Sequence, residues 1–195
     1  MEDRKEKRNE IAQDVVQALG MLSPEALESK RLTIENKLFE FANFMESKRV
    51  LFYLDKGTEM PTRKIIERAL DVKKTVILPA FNVEKLRMSL MKVEDLKSGL
   101  KPGPKGLHEP DPSRCKAIPM EQVDIAIIPG FVFDEKGGRI GASEGFYDKL
   151  IAKLPPTTRK IAIAFEEQVV PQLPMPPRHK HVDIIITDKR TIYKI

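Results

Sequence analysis

Ile11, Val15, Val16 and Leu19 recur at helical spacing, which predicts an amphipathic helix ending near Gly20. Ser23, Pro24 and Glu25 then form a helix start, with proline in the first turn and a carboxylate near the positive end of the dipole. Leu27, Ile34, Leu38, Phe41 and Met45 continue on one face, predicting a second helix through Met45. The pattern changes at Val50–Leu54, a continuous apolar run closed by Asp55, Lys56 and Gly57, and this reads as a buried strand. A helix over Pro61–Leu70 and a second apolar run over Thr75–Leu78, ending at Pro79, complete a strand–helix–strand unit of the kind that builds parallel sheets.

Alternation over Arg87–Val93 predicts a more exposed strand, followed by a connection over Lys97–Ile118 rich in Gly, Pro and charge. A connection of that length suggests a mobile or functional segment, and a lid over the cleft is one expectation for it. Further strands are predicted at Val123–Ile128, Ile161–Phe165 and Val182–Thr187, with Thr191–Ile195 closing an edge. Between the first two of these lie a loop over Pro129–Gly141 and a helix over Ser143–Leu154. The reading is one α/β domain over residues 1–195; strand order does not follow from the pattern.

The 195 residues include 34 Lys and Arg against 29 Asp and Glu, a formal charge of +5 that suits an anionic partner without identifying one. Aromatics make up 6%, too few and too scattered for a base-stacking nucleic-acid surface, so nucleic acid is not the expected partner. Cys115 stands alone, which excludes an internal disulfide or a multi-cysteine zinc site, and it reads as an incidental thiol. No apolar stretch approaches the ~20 residues of a membrane span. A cytoplasmic monomer is the expectation.

Chemistry concentrates in Gly137–Asp148, between a strand and a helix. Glycines there allow a sharp turn that presents consecutive N–H groups beside a helix N-terminus, an arrangement suited to phosphate. The spacing matches neither the P-loop nor the dinucleotide fingerprint, so the residues alone leave open a turn whose glycines serve only the backbone.

Six pieces in order resemble the 5-formyltetrahydrofolate cyclo-ligases, also called methenyltetrahydrofolate synthetases. They are Arg4-Lys5-Glu6-Lys7-Arg8, Glu59-Met60-Pro61-Thr62, Gly106-Leu107-His108-Glu109-Pro110, Pro129-Gly130 with Phe133-Asp134, Gly138-Arg139-Ile140-Gly141 through Gly145-Phe146-Tyr147-Asp148, and Val182-Asp183 with Thr187. The resemblance implies a three-layer α/β sandwich with a mostly parallel sheet, similar to the sugar-isomerase and CoA-transferase group. It implies conversion of 5-formyltetrahydrofolate to 5,10-methenyltetrahydrofolate with ATP and Mg²⁺, releasing ADP and phosphate.

Carried over by position, it implies ATP contacts at Arg4, Arg8, Arg139, Ile140, Gly141, Ala142, Ser143, Glu144, Gly145, Phe146 and Tyr147. Arg139 and Tyr147 take the catalytic roles, Leu54, Glu59 and Phe146 contact the reduced folate, and Asp148 is the Mg²⁺ ligand. The chain departs from the family at Ala142, Ser143 and Glu144, where glycines or a basic residue are usual. It also lacks the aspartate that the family places just upstream of Val182-Asp183 as a further metal ligand, where His179 is the closest substitute. Those departures keep open a non-catalytic folate- or nucleotide-binding relative, and the net charge keeps open a basic interaction module.

Overall fold

The computed structural model describes residues 2–55, 57, 59–82, 87–103, 108–141, 145–176 and 179–194. Ala142, Ser143 and Glu144 therefore lie outside the described residues.

Helix α1 (Glu2–Gly20) is followed by α2 (Pro24–Glu40). Ser23 caps α2 by accepting the Ala26 N–H at 3.2 Å, with Pro24 at the first helical position. The predicted second helix does not continue through Met45. Phe41 adopts an extended conformation (φ −71°, ψ 122°) and a separate short helix, α3 (Ala42–Glu46), follows, which leaves Met45 62% exposed. Val16 is likewise 56% exposed; α1 docks through Ile11, Ala12, Val15 and Leu19 instead.

The main sheet has eight strands among the described residues. Its five central strands are parallel: β12 (Ile184–Ile186), β10 (Arg159–Ile163), β7 (Ile125–Ile127), β1 (Arg49–Leu51) and β2 (Thr75–Asn82). At one edge β13 (Thr191–Tyr193) pairs with β12, and at the other β3 (Arg87–Val93) pairs with β2 and β6 (Lys116–Ala117) with β3, each antiparallel to the strand it joins. Isoleucine, valine and leucine fill both faces of the centre, as a sheet covered by helices on each side requires.

The β1–β2 crossover contains α4 (Arg63–Asp71), and α5 (Phe146–Lys153) lies between β7 and β10. The two connections run in opposite directions along the sheet, so right-handed crossovers place α4 and α5 on opposite faces. Helix α2 lies beside α4, joined by Lys64–Glu28 at 2.8 Å and Arg68–Glu35 at 3.0 Å.

Strand β1 is only three residues long, shorter than the predicted Val50–Leu54 run, because the chain leaves the sheet after Leu51 while Phe52 and Tyr53 stay buried. Strand β2 runs past Pro79, where the sequence predicts an end. The Ile77 carbonyl accepts the Phe52 N–H at 2.8 Å, so odd-numbered residues of β2 face β1. Pro79 thus lacks its N–H on the side that β1 has already left, and no ladder bond is lost.

The two long connections also carry structure. Residues 97–118 contain a hairpin of β4 (Leu100–Pro102) and β5 (His108–Pro110) as well as β6. The predicted 129–141 loop contains β8 (Val132–Asp134) and β9 (Arg139–Ile140), which join β11 (Val169–Val170) in a small sheet. Helix α1 packs on that small sheet through Val132, Ile140, Val170 and Leu173. No helix among the described residues is long and apolar enough to cross a membrane.

Candidate active site

From β1 the chain steps to β2 on one side of the sheet; from β7 it steps to β10 and β12 on the other. The reversal lies between β1 and β7, and open α/β sheets bind ligands at the carboxyl ends of strands where the winding reverses. The residues following β1 and β7 therefore frame the site.

After β1, local hydrogen bonds tie Tyr53 and Asp55 to Met60 and Thr62. The Tyr53 hydroxyl donates to the Met60 carbonyl at 3.0 Å, Thr62 Oγ1 donates to the Tyr53 carbonyl at 2.6 Å, and the Thr62 N–H donates to Asp55 Oδ1 at 3.1 Å. Glu59 lies within this segment in a buried position.

After β7, the Pro129 carbonyl accepts Arg139 Nη1 at 3.0 Å. Arg139 is only 4% exposed, and its Nη2 donates to Asp148 Oδ1 at 2.8 Å. Its Nε is buried and has no acceptor among the described residues. A charged guanidinium held this dry, with one N–H unmet among the described residues, is chemically suited to an anion. A Cβ at Gly141 would overlap Nη1, so any larger residue there would shift the guanidinium.

Gly145 caps α5 at φ +78°, a left-handed conformation that brings the chain into the helix without a capping side chain. Helix α5 begins at Phe146, after the Gly145 cap; Ser143, where the sequence predicts the start, lies outside the described residues. Its first turn presents Phe146, Tyr147 and Asp148. Phe81, from the end of β2, packs edge-on against both rings, at 5.2 Å from Phe146 and 6.5 Å from Tyr147. Burial pushes the Tyr147 hydroxyl well above the ordinary phenol range; the charge of Glu59 adds to this and that of Arg139 opposes it. Tyr147 is thus a hydrogen-bond donor and not a base at neutral pH.

The sequence-predicted residues Glu59, Arg139, Tyr147 and Asp148 come together around the reversal, with Ile140, Gly141, Gly145 and Phe146 in the segment that links them. Leu54 lies on the wall of a neighbouring groove of about 460 Å³, along with Asp55, Pro61 and His108. Arg4 and Arg8 continue the helix face of Ile11 and Val15 that docks on the small sheet, at the end of α1 where Lys7 and Ile11 border a cavity of about 370 Å³. No contact joins either arginine to Arg139 among the described residues.

Several contributors are not legible in the sequence. Phe81 has no motif, and the role of Glu109 is tertiary: its carboxylate accepts the Phe81 N–H at 3.3 Å, on the edge of β2 that β1 has vacated. Glu109 belongs to the Gly106–Pro110 motif of the long connection, which marks it in the sequence without showing this contact. Cys115 is buried and donates to the Gly99 carbonyl at 3.2 Å.

The profile of the 5-formyltetrahydrofolate cyclo-ligase family matches residues 4–188. The chain belongs to this family. A probable 5-formyltetrahydrofolate cyclo-ligase of Caenorhabditis elegans is 28% identical over 200 residues, covering 96% of each chain. The mouse 5-formyltetrahydrofolate cyclo-ligase is 26% identical over 183 residues, covering 89% of each. Among solved structures, the 5,10-methenyltetrahydrofolate synthetase of Aquifex aeolicus superposes with a TM-score of 0.82 at 27% identity, covering 98% of this chain and 92% of that one. The region matched by the cyclo-ligase family spans β1, β7 and α5.

No group of three or more His, Cys, Asp or Glu that could enclose a metal ion is present among the described residues. Asp148 is a single, half-exposed carboxylate. That donor set fits Mg²⁺, which is commonly held by one or two carboxylates with the rest of its shell from phosphates and water.

Proposed function

We propose that this chain is an ATP-dependent 5-formyltetrahydrofolate cyclo-ligase, forming 5,10-methenyltetrahydrofolate, ADP and phosphate. The observation that carries the reading is the buried Arg139 guanidinium, anchored on Pro129 and Asp148 beside Tyr147 at the winding reversal.

The formyl oxygen is a poor leaving group, so it attacks the γ-phosphorus of ATP and ADP departs. N10 of the folate then adds to the activated carbon, its proton goes to solvent, and phosphate leaves with the oxygen. Little covalent work falls to the protein in such a transfer; it positions the reactants and stabilises charge.

Arg139 meets the phosphoryl oxygens as they gain charge, and the protonated Tyr147 hydroxyl donates to the same centre. The first-turn amides of α5, with Ile140 and the segment from Gly141 to Gly145, hold the phosphates. Arg4 and Arg8, one helical turn apart, take the distal part of the nucleotide. Leu54, Glu59 and Phe146 hold the folate, with the Glu59 carboxylate accepting from pterin N–H groups. Asp148 would hold Mg²⁺, which supplies charge neutralisation on the phosphates when bound.

An assay coupling ADP release to the absorbance of the methenyl product tests the proposal. Turnover that requires both ATP and 5-formyltetrahydrofolate, and that falls in Arg139→Ala, supports it. Uptake of nucleotide and folate without product overturns it in favour of a non-catalytic relative.

A further inference from the structure

At the end of β2 an aromatic contact of the site and an unusual backbone donor fall on the same residue. The Phe81 ring packs edge-on against Phe146 and Tyr147. Its N–H points toward the edge that β1 has vacated, since odd-numbered residues of β2 face β1 and β1 ends at Leu51. In a continuing sheet the next strand would accept that hydrogen. Here a side chain does so: Glu109 Oε2 accepts the Phe81 N–H at 3.3 Å, from the strand β5 that packs beside β2.

The Glu109 side chain is only 13% exposed, unlike a solvated loop acid. Its other oxygen, Oε1, lies 4.0 Å from Nζ of Lys101, the residue opposite it in the β4–β5 hairpin. One oxygen is thus turned to β2 and the other to β4, so the carboxylate ties the hairpin to the strand at the residue whose ring meets the first turn of α5. A charged acceptor makes this a stronger tie than a neutral one would be.

We propose that Glu109 is a positioning residue: by holding the Phe81 amide it sets the Phe81 ring, and through that ring Phe146 and Tyr147. Its kinetic consequence rests on the ligase reading, in which Phe146 holds the folate and Tyr147 meets the phosphoryl centre, whereas the coupling of Glu109 to the ring cluster does not. What the role requires is an acceptor at the right reach. Glu109→Gln keeps both the reach and an accepting oxygen, while Glu109→Asp keeps the charge and is one methylene too short. A residue acting through its charge or as a proton carrier would rank the two variants in the opposite order.

Steady-state kinetics and nuclear magnetic resonance on the full-length wild type, Glu109→Gln, Glu109→Asp and Glu109→Ala test the proposal. Glu109→Asp and Glu109→Ala should lower kcat/KM for 5-formyltetrahydrofolate by about tenfold or more, with KM raised, because small displacements of positioning groups are costly. Glu109→Gln should stay within about threefold of wild type. The Phe81 amide should exchange about fivefold faster or more in Glu109→Asp and Glu109→Ala, with weaker Overhauser contacts from its ring to Phe146 and Tyr147, and both should be restored in Glu109→Gln. Full activity in Glu109→Asp, impairment of Glu109→Gln equal to that of Glu109→Ala, or unchanged exchange at Phe81 would overturn the proposal. So would a fall in kcat at constant KM, which a smaller folded fraction would produce. A wild type that never turns over defeats the ligase reading and leaves the resonance data to decide the coupling; if Glu109→Ala fails to fold, the Asp and Gln pair decides it.

Discussion

Arg139 and Asp148 are bonded to each other, Nη2 to Oδ1 at 2.8 Å, although one side chain is buried and the other is half exposed. The asymmetry predicts unequal effects of mutation. Water can replace Asp148, so Asp148→Asn should lower stability by about 1 kcal/mol or less. Lysine cannot reach both Pro129 and Asp148 with one ammonium, so Arg139→Lys should reduce kcat by about 100-fold or more while the fold is kept. Thermal melting and steady-state kinetics on both variants check the pair of expectations.

Tyr147→Phe retains the ring packed against Phe81 and removes only the hydroxyl. Turnover should fall by about 10²-fold with the melting temperature little changed. Tyr53 and Tyr147 both have hydroxyl groups raised above the ordinary range, chiefly by burial. Their stability contribution is complete below the unfolded phenol value of about 10 and is lost as pH rises above it, because the unfolded chain ionises first. Denaturant titrations at increasing alkaline pH should show that decline, reduced in Tyr147→Phe.

At the acid end the sign reverses. Hydrogen bonds from Arg31 and Lys64 hold the Glu28 carboxyl down to about 2, below its ordinary 4.5. The stability it contributes is present above pH 4.5 and is lost as pH falls toward about 2. Glu28→Gln should melt lower than wild type at neutral pH, and the two should converge across that window.

Two glycines of the site separate backbone strain from crowding. A Cβ at Gly145 meets nothing within 4 Å, so Gly145→Ala should lose about 1–2 kcal/mol through its φ of +78° alone. Gly141→Ala instead displaces Arg139 Nη1 and should lower kcat more than stability. Melting and kinetics on the two variants should rank them in opposite order.

The central strands and the main helices were legible because each has a long apolar run or a helical period. The small sheet was not, since β8, β9 and β11 have two or three residues and carry no readable alternation. The Phe41 break and the passage of β2 through Pro79 are tertiary outcomes: one follows where α3 packs, the other where β1 stops. Within the site, Glu59, Arg139, Tyr147 and Asp148 were found through a family pattern, because spacing alone leaves a glycine-rich turn as good a reading. Phe81 was beyond reach, and Glu109 was marked only as part of a family motif, for their contact joins segments 28 residues apart.

The burial of the Arg139 guanidinium also divides the labour between near and far charges. Mobile ions screen surface groups within about 10 Å at moderate ionic strength but hardly enter a dry pocket. Raising salt should therefore loosen whatever grip the opening helix has on an anionic ligand, through the exposed Arg4 and the half-buried Arg8, while leaving the inner contact at full strength.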